Sequence, residues 1–173
     1  MKAVFADTFY WVALTNPGDS RYQDAVALDP VLADTVVFTT DEILTEFMTF
    51  FSTDPWQRSR AAATVRSLLA NPEVRVIPQS RESFLAGMSL YEARPDKGYS
   101  LTDCISMQTM RREGITEVLT NDRHFEQEGF HALFRDLTVR SPGRARGTAK
   151  YRGRGKVSAV REGDVRGVSF RLQ

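Results

Sequence analysis

The sequence predicts an α/β fold with a central, mainly parallel sheet of four to five strands. Short apolar or β-branched runs alternate with longer amphipathic segments through residues 1–137. Acidic side chains follow two of the apolar runs, where the strands are expected to end. In an open parallel sheet, ligands bind beyond the carboxyl ends of the strands. The same alternation therefore predicts the fold and the location of its site.

Four strands are predicted from composition. Lys2–Ala6 is a short apolar run of the kind found in buried parallel strands. Thr35–Thr39 is β-branched and aromatic, which favours a strand most clearly. Val74–Ile77 and Glu117–Thr120 follow the same pattern, and Phe130–Leu137 is expected to add an edge strand.

Helices are predicted between these strands. They are expected over Thr8–Thr15, Asp19–Ala33, a segment from the N-cap Thr40 to Phe51, 55–70, Ser80–Ala93, Leu101–Glu113 and Arg123–Glu128. Pro55 suits a first helical position, and Gly114 suits a helix end. In the helix after Thr40, a buried face is predicted from Ile43, Leu44, Phe47, Met48, Phe50 and Phe51.

The chain divides by charge into two predicted domains. Residues 1–137 hold 13 Lys and Arg against 20 Asp and Glu, whereas residues 138–173 hold 10 against 2. Within this second part, the basic tail (138–173), residues 141–155 are rich in Gly and Arg, which predicts disorder. Residues 157–172 are expected to form a hairpin at most. An acidic body with a basic tail suggests an anionic partner for the tail.

The composition excludes several classes of protein. The single cysteine, Cys104, rules out an internal disulfide and is expected to be a buried apolar residue. The N-terminal segment has no signal-peptide cleavage pattern, and no run approaches the roughly 18 apolar residues of a membrane span. We therefore expect a cytoplasmic protein with no membrane partner.

Four carboxylates are predicted to meet at the sheet edge. Asp7 and Asp122 follow strands, Asp103 lies in the first turn of a helix, and Glu46 lies at the margin of an apolar helix face. Four such charges repel one another, and a hard divalent cation relieves the repulsion. All-oxygen ligation suits Mg²⁺ or Mn²⁺, while one Cys and two His cannot build a structural zinc site.

Each acid also has a purely structural interpretation. Asp7 and Asp122 are placed to cap the helices that follow them. Asp103 stands three residues after Ser100, as in a capping box, and Glu46 is placed to face solvent. The joint placement of the four favours a site.

Other polar residues near these acids are weaker candidates. Thr8, Ser100, Thr102, Thr120 and Asn121 are placed either to orient the carboxylates or to cap helices. His124 has no partner at motif spacing, which predicts a surface or core role.

At these residues the sequence resembles a PIN domain, and within that superfamily the VapC-type toxins. The matching pieces lie around Asp7 (residues 4–14), Glu46 (39–46), Asp103 (99–106) and Asp122 (118–125), and the resemblance covers about residues 2–137. It implies a three-layer α/β/α fold and Mg²⁺- or Mn²⁺-dependent cleavage of RNA. It also implies that the four acids form the metal site and that the chain has a cognate antitoxin and forms a homodimer.

Three alternatives remain open at this stage. The chain is either a toxin of this kind, a housekeeping PIN nuclease without an antitoxin, or a non-catalytic RNA-binding module that uses its tail. A receiver-like or phosphatase domain ranks below these, because Thr8 and Phe9 follow Asp7 where that class has a second Asp.

Overall fold

The computed structural model describes residues 2–139, and its five strands form one sheet in which all neighbours are parallel. The strands are β1 (Lys2–Ala6), β2 (Thr35–Thr40), β3 (Val74–Ile77), β4 (Glu117–Leu119) and β5 (His131–Ala132). Their order across the sheet is β3-β2-β1-β4-β5. The predicted α/β fold, with a parallel sheet of four to five strands, is confirmed.

Among the described residues, seven α-helices lie between the strands and an eighth follows β5. They are α1 (Thr8–Thr15), α2 (Tyr22–Ala27), α3 (Asp41–Phe50), α4 (Pro55–Ala70), α5 (Arg81–Ala93), α6 (Leu101–Glu113), α7 (Arg123–Gln127) and α8 (Leu133–Val139). The connections from β1 to β3 cross the sheet in one direction and those from β3 to β5 in the other. Because parallel crossovers are right-handed, the two sets of helices cover opposite faces in three α/β/α layers.

Caps and a shared core fix the helices that border the site. Thr40 accepts a hydrogen bond from the Ile43 amide at the start of α3, as predicted. Gly114 ends α6 in the left-handed conformation, with φ 68°. Aromatic side chains fill the core between sheet and helices, and the largest fully buried ones are Tyr10, Trp11, Phe5, Phe47, Phe125 and Phe134.

Two element predictions were wrong in extent. The segment Asp19–Ala33 is not one helix: α2 is followed by a 3-10 helix over Asp29–Leu32. Pro30 has no amide proton to continue the α-helical hydrogen bonds, which explains the break. The expected strand over Phe130–Leu137 is only β5, after which α8 begins and buries Phe134 against Phe9 and Tyr10.

The predicted buried face of α3 was too wide. Ile43, Leu44 and Phe47 are buried, and so is Phe51 just beyond the helix, but Met48 and Phe50 are about two-fifths exposed. Neighbouring elements cover one side of α3, whereas the apolar residues extend around it.

Of the basic tail, the structure describes only residues 138 and 139. Helix α8 extends to Val139, two residues past the predicted boundary at 137. The expected disordered segment 141–155 and hairpin 157–172 lie outside the described residues. Within residues 2–139, no helix is long and apolar enough to cross a membrane.

Candidate active site

The site lies where the connections from the sheet change direction. Strand β1 pairs with β2 on one side and with β4 on the other, so a crevice opens beyond the carboxyl ends of β1 and β4. Asp7 follows β1 and Thr120 follows β4, and the register Ala6↔Leu119 places them side by side. The Thr120 hydroxyl donates to Asp7 Oδ2 at 2.8 Å. The sheet register therefore orients the Asp7 carboxylate.

Glu46 reaches the site from an exposed position on α3. Helix α1 packs against α3, and the Thr8 hydroxyl donates to Glu46 Oε2 at 2.6 Å. The structural interpretation, that Glu46 faces solvent, is thus partly correct. The hydrogen bond from Thr8 nevertheless restricts the direction of the carboxylate.

Asp103 and Asp122 both cap helices, as their structural interpretations predicted. The Ser100 amide donates to Asp103 Oδ2 at 2.7 Å, which closes the capping box of α6. The His124 amide donates to Asp122 Oδ1 at 2.9 Å at the start of α7. Each cap uses one carboxylate oxygen; the other oxygen of Asp103 accepts no hydrogen bond from a described residue, and Asp122 Oδ2 lies 3.1 Å from His124 Nδ1. Capping therefore leaves each acid able to bind a ligand.

The acids are electrostatically coupled. Asp7 is 7% exposed, and burial together with the charge of Asp103 raises its pKa from 3.8 to about 7. The Thr120 hydrogen bond acts against this rise. Burial also raises the pKa of Asp103, with further contributions from the charges of Asp122 and Glu46. We refer to Asp7, Glu46, Asp103 and Asp122 as the acidic cluster.

The sequence analysis missed His124. Ligand atoms of Asp103, Asp122 and His124 all lie within 4.8 Å of one another, and the His124 side chain is only 23% exposed. The expectation that His124 has no partner is wrong, since its Nδ1 lies 3.1 Å from Asp122 Oδ2, while the surface or core role stays a prediction. One available signal was the spacing Asp122-x-His124 at a helix start.

The orienting residues divide into two groups. The Thr8 and Thr120 hydroxyls donate to Glu46 and Asp7, as predicted for residues that orient the carboxylates. The Ser100 hydroxyl instead accepts from the Asp103 amide and caps α6, as its other interpretation predicted. Thr102 and Asn121 make no side-chain hydrogen bond among residues 2–139. Cys104 is fully buried in α6, and burial raises the pKa of its thiol to about 11. Cys104 is therefore a core residue, as expected, and not a nucleophile.

The donor set fits a hard divalent cation. Asp7 is a buried carboxylate with a raised pKa, which a bound cation would lower by offsetting the repulsion from Asp103. Asp103 and Asp122 each have an oxygen free of hydrogen bonds from described residues. Carboxylate oxygens are the ligands that Mg²⁺ and Mn²⁺ prefer.

Comparison with known proteins identifies the family to which the chain belongs. Residues 4–130 match the PIN domain family. The chain is 28% identical over 127 residues to the 23S rRNA-specific endonuclease VapC20 of Mycobacterium tuberculosis, a match that covers 73% of this chain and 95% of the relative. PIN domains are nucleases that depend on a metal, and the acidic cluster has the ligands for one.

Solved structures share the fold. The crystal structure of M. tuberculosis VapC20, described as a Sarcin-Ricin loop cleaving toxin, matches with a TM-score of 0.65 at 27% identity over 73% of this chain and 95% of that one. VapBC2 of Rickettsia felis bound to a promoter DNA fragment matches with a TM-score of 0.56 at 13% identity, over 75% and 96%. At that identity the likeness concerns the fold alone. On the match over residues 4–130, the chain belongs to the PIN domain family.

Proposed function

We propose that this chain is a metal-dependent endoribonuclease and the toxin of a toxin–antitoxin pair. The observation that carries the proposal is the acidic cluster, in which the charges of Asp103 and Glu46 act on Asp7 and those of Asp122 and Glu46 act on Asp103, at the switch point of a PIN-family sheet. The named activity of the VapC20 relative supports RNA as the substrate.

The acidic cluster is the proposed metal site. Asp7 and Asp103 are the proposed direct ligands, because burial raises the pKa of both and the charge of Asp103 raises that of Asp7 further. Glu46 and Asp122 complete the site, in part through water. We propose Mg²⁺ or Mn²⁺ as the ion, since the cluster offers carboxylate oxygens.

The proposed reaction is hydrolysis of an RNA phosphodiester to a 5′-phosphate and a 3′-hydroxyl. A bound divalent cation supplies a water of lowered pKa and polarises the phosphate. Asp7 is held by Thr120, and Glu46 by Thr8, so both carboxylates are oriented before the substrate arrives. The water oxygen bonds to phosphorus, the bond from phosphorus to the 3′ oxygen breaks, and that oxygen takes up a proton.

Proposed partners are a cognate antitoxin and a second copy of the chain. Large apolar side chains of α3 and α4, namely Met48, Phe50 and Trp56, are between 42% and 62% exposed, which suits protein partners. The basic tail is a proposed RNA-binding segment, and the RNA substrate implies action in the cytoplasm. A small antitoxin reading frame beside the gene would separate a toxin from a housekeeping nuclease.

Cleavage of a mixed RNA pool tests the proposal. The wild type is compared with Asp7→Asn in Mg²⁺, in Mn²⁺ and in EDTA. Asp54→Asn is the matched control, because Asp54 caps α4 on an exposed surface and Asn also caps helices. We expect metal-dependent cutting by the wild type and the control, and a loss of at least about a hundredfold in Asp7→Asn.

The other outcomes each contradict the proposal. Cutting by Asp7→Asn at the wild-type rate would show that the acidic cluster is not the catalytic centre. Binding of RNA without any cutting, with 23S rRNA included in the pool, would favour the non-catalytic RNA-binding module.

A further inference from the structure

The His124 imidazole is held in place by contacts on two sides. Tyr99 packs against it edge-on, with ring centroids 5.1 Å apart, and Gly98 borders its Cε1 and Nε2 atoms. The Tyr99 hydroxyl lies 3.2 Å from Glu128 Oε1 and donates to it. Glu128 is in turn paired with Arg94 and Arg111, and its side chain is 4% exposed. The ring is therefore fixed by a network that spans four separate segments.

This network turns one nitrogen towards the acidic cluster. His124 Nδ1 lies 3.1 Å from Asp122 Oδ2, is shielded from solvent, and makes no hydrogen bond with any described residue. Adjacent ligands of an octahedral cation with bonds of about 2.1 Å are separated by about 3 Å, so the spacing suits two ligands of one ion. Asp103 is the third member of this group, although it lies on a different helix.

The local backbone does not explain this arrangement. The hydrogen bond from the His124 amide to Asp122 Oδ1 accounts for the proximity of these two residues. It does not account for Asp103, which α6 brings from 21 residues earlier in the chain. Tertiary packing therefore brings one imidazole nitrogen and an oxygen of each of the two carboxylates within 4.8 Å of one another.

We propose that His124 is a nitrogen ligand of the metal centre, where it binds beside Asp103 and Asp122. The proposal rests on the proposed metal site and adds a residue to it. An imidazole ligand favours transition ions over Mg²⁺, because Mg²⁺ prefers oxygen donors. The centre should consequently prefer Mn²⁺ more strongly than an all-carboxylate site would.

Mn²⁺ serves as both ligand and spectroscopic probe. We would first titrate the full-length chain with Mn²⁺ and measure the free ion by electron paramagnetic resonance. We would then record the electron spin-echo modulation of the bound ion in protein made with ordinary and with ¹⁵N-labelled histidine. The sequence has only two histidines, His124 and His131, so a labelling effect must come from one of them.

His131 provides the matched control. It is an exposed surface residue paired with Asp136, at 2.8 Å. We expect modulation from ¹⁴N in the unlabelled wild type and from ¹⁵N in the labelled wild type. The histidine modulation should persist in His131→Asn and vanish in His124→Asn. We also expect His124→Asn to weaken Mn²⁺ binding by about tenfold or more. His124→Asp, which replaces nitrogen with oxygen, should retain binding but lose much of the preference for Mn²⁺ over Mg²⁺.

The remaining outcomes separate the two proposals. Bound Mn²⁺ that shows no effect of histidine labelling would overturn the role of His124 while leaving the acidic cluster as the metal site. Persistence of the histidine modulation in His124→Asn would also overturn the role of His124. A wild type that binds no Mn²⁺ would overturn both proposals. Because labelling needs no substitution, a misfolded His124 variant would not affect this test.

Discussion

At the residue scale, the site depends on a carboxylate placed where its charge is unfavourable. Asp7 is buried beside other acids, and the hydrogen bonds from the Thr120 hydroxyl and the Thr8 amide offset only part of that cost. Without a cation, part of the folded population therefore carries a protonated Asp7 near neutral pH. A bound cation would offset the cost of burying this charge and its repulsion from Asp103.

This burial predicts that Asp7→Asn stabilises the metal-free protein in alkaline solution. The pKa of Asp7 is about 7 in the folded protein, whereas its ordinary value is 3.8. Between these two pH values the folded state therefore binds more protons than the unfolded state. The free energy of unfolding of the wild type should fall by up to about 4 kcal/mol as the pH rises from about 4 to about 7. Above that pH it should level off. Asn has no such dependence and still accepts the Thr120 hydrogen bond.

Thermal unfolding in EDTA measures this effect. We expect the Tm of Asp7→Asn to exceed that of the wild type by about 5 °C or more at pH 8, with little difference near pH 4. Asp54→Asn should have the same Tm as the wild type at both pH values. Added Mn²⁺ should raise the Tm of the wild type and of Asp54→Asn but not that of Asp7→Asn. A wild type more stable than Asp7→Asn in EDTA at pH 8 would refute the assignment.

Thr8 provides a second prediction at this scale. Its hydroxyl donates to Glu46 at 2.6 Å, a short hydrogen bond to a charged acceptor. Thr8→Val keeps the shape of the side chain and removes the donor, so Glu46 loses its orientation. We expect RNA cleavage to fall by about tenfold, while Thr8→Ser stays close to the wild type. The check is the cleavage rate at several Mg²⁺ concentrations, and equal rates for Val and Ser would rule out this role.

At the residue scale, the sequence predicted the positions of side chains in the fold where the signal was local. Asp7 and Asp122 were predicted because each directly follows a short apolar strand. His124 was missed because its contacts come from Gly98 and Tyr99, and nothing in the local sequence indicates that α6 delivers Asp103 to the same point. Contacts between distant segments are set by packing, which periodicity does not reveal.

At the element scale, the packing of α5 against α6 positions Asp103. Gly87 lies where the two helices meet, and a Cβ there would be 2.4 Å from Ile105 Cγ1 and 3.1 Å from the Ile105 nitrogen. Ile105 is two residues beyond Asp103 on α6. The close approach therefore requires glycine and couples the helix spacing to the site.

Gly87→Ala tests this coupling through the sign of the change in the free energy of unfolding. Helix propensity alone would favour Ala by up to about 1 kcal/mol. The clash with Ile105 should instead destabilise the fold by about 1–3 kcal/mol and weaken Mn²⁺ binding. Gly18→Ala is the control, because its nearest neighbour would be 3.4 Å away. Denaturant unfolding of both variants gives the answer, and a stabilised Gly87→Ala would contradict the argument.

The elements were predicted well wherever their ends carried distinct residues. Thr40, Ser80, Ser100 and Gly114 mark helix ends in the sequence and do so in the structure. The prediction failed around Pro30, which was included in a continuous helix, and at Met48 and Phe50, where hydrophobicity was equated with burial. Whether an apolar side chain is covered depends on neighbouring elements, which one segment cannot specify.

At the scale of the whole molecule, charge separates the body from the basic tail. Residues 1–137 carry a net charge of −7 and residues 138–173 a net charge of +8. A polyanion is repelled by such a body, and the acidic cluster adds to the repulsion. RNA binding should therefore depend on arginines of the tail and weaken steeply with salt.

Replacing four tail arginines in the full-length chain tests this division of roles. The variant carries Arg144→Ser, Arg146→Ser, Arg152→Ser and Arg154→Ser. Each contact with a phosphate of single-stranded RNA contributes about −0.7 to the slope of log K against log salt, so the slope should become less negative by up to about 3. Arg66→Ser, on the exposed side of α4, should change the slope by less than about 1. Cleavage of a short RNA at saturating concentration should persist, because the acidic cluster is unchanged. An unaltered salt slope in the four-fold variant would show that the body, despite its negative charge, provides the RNA contacts.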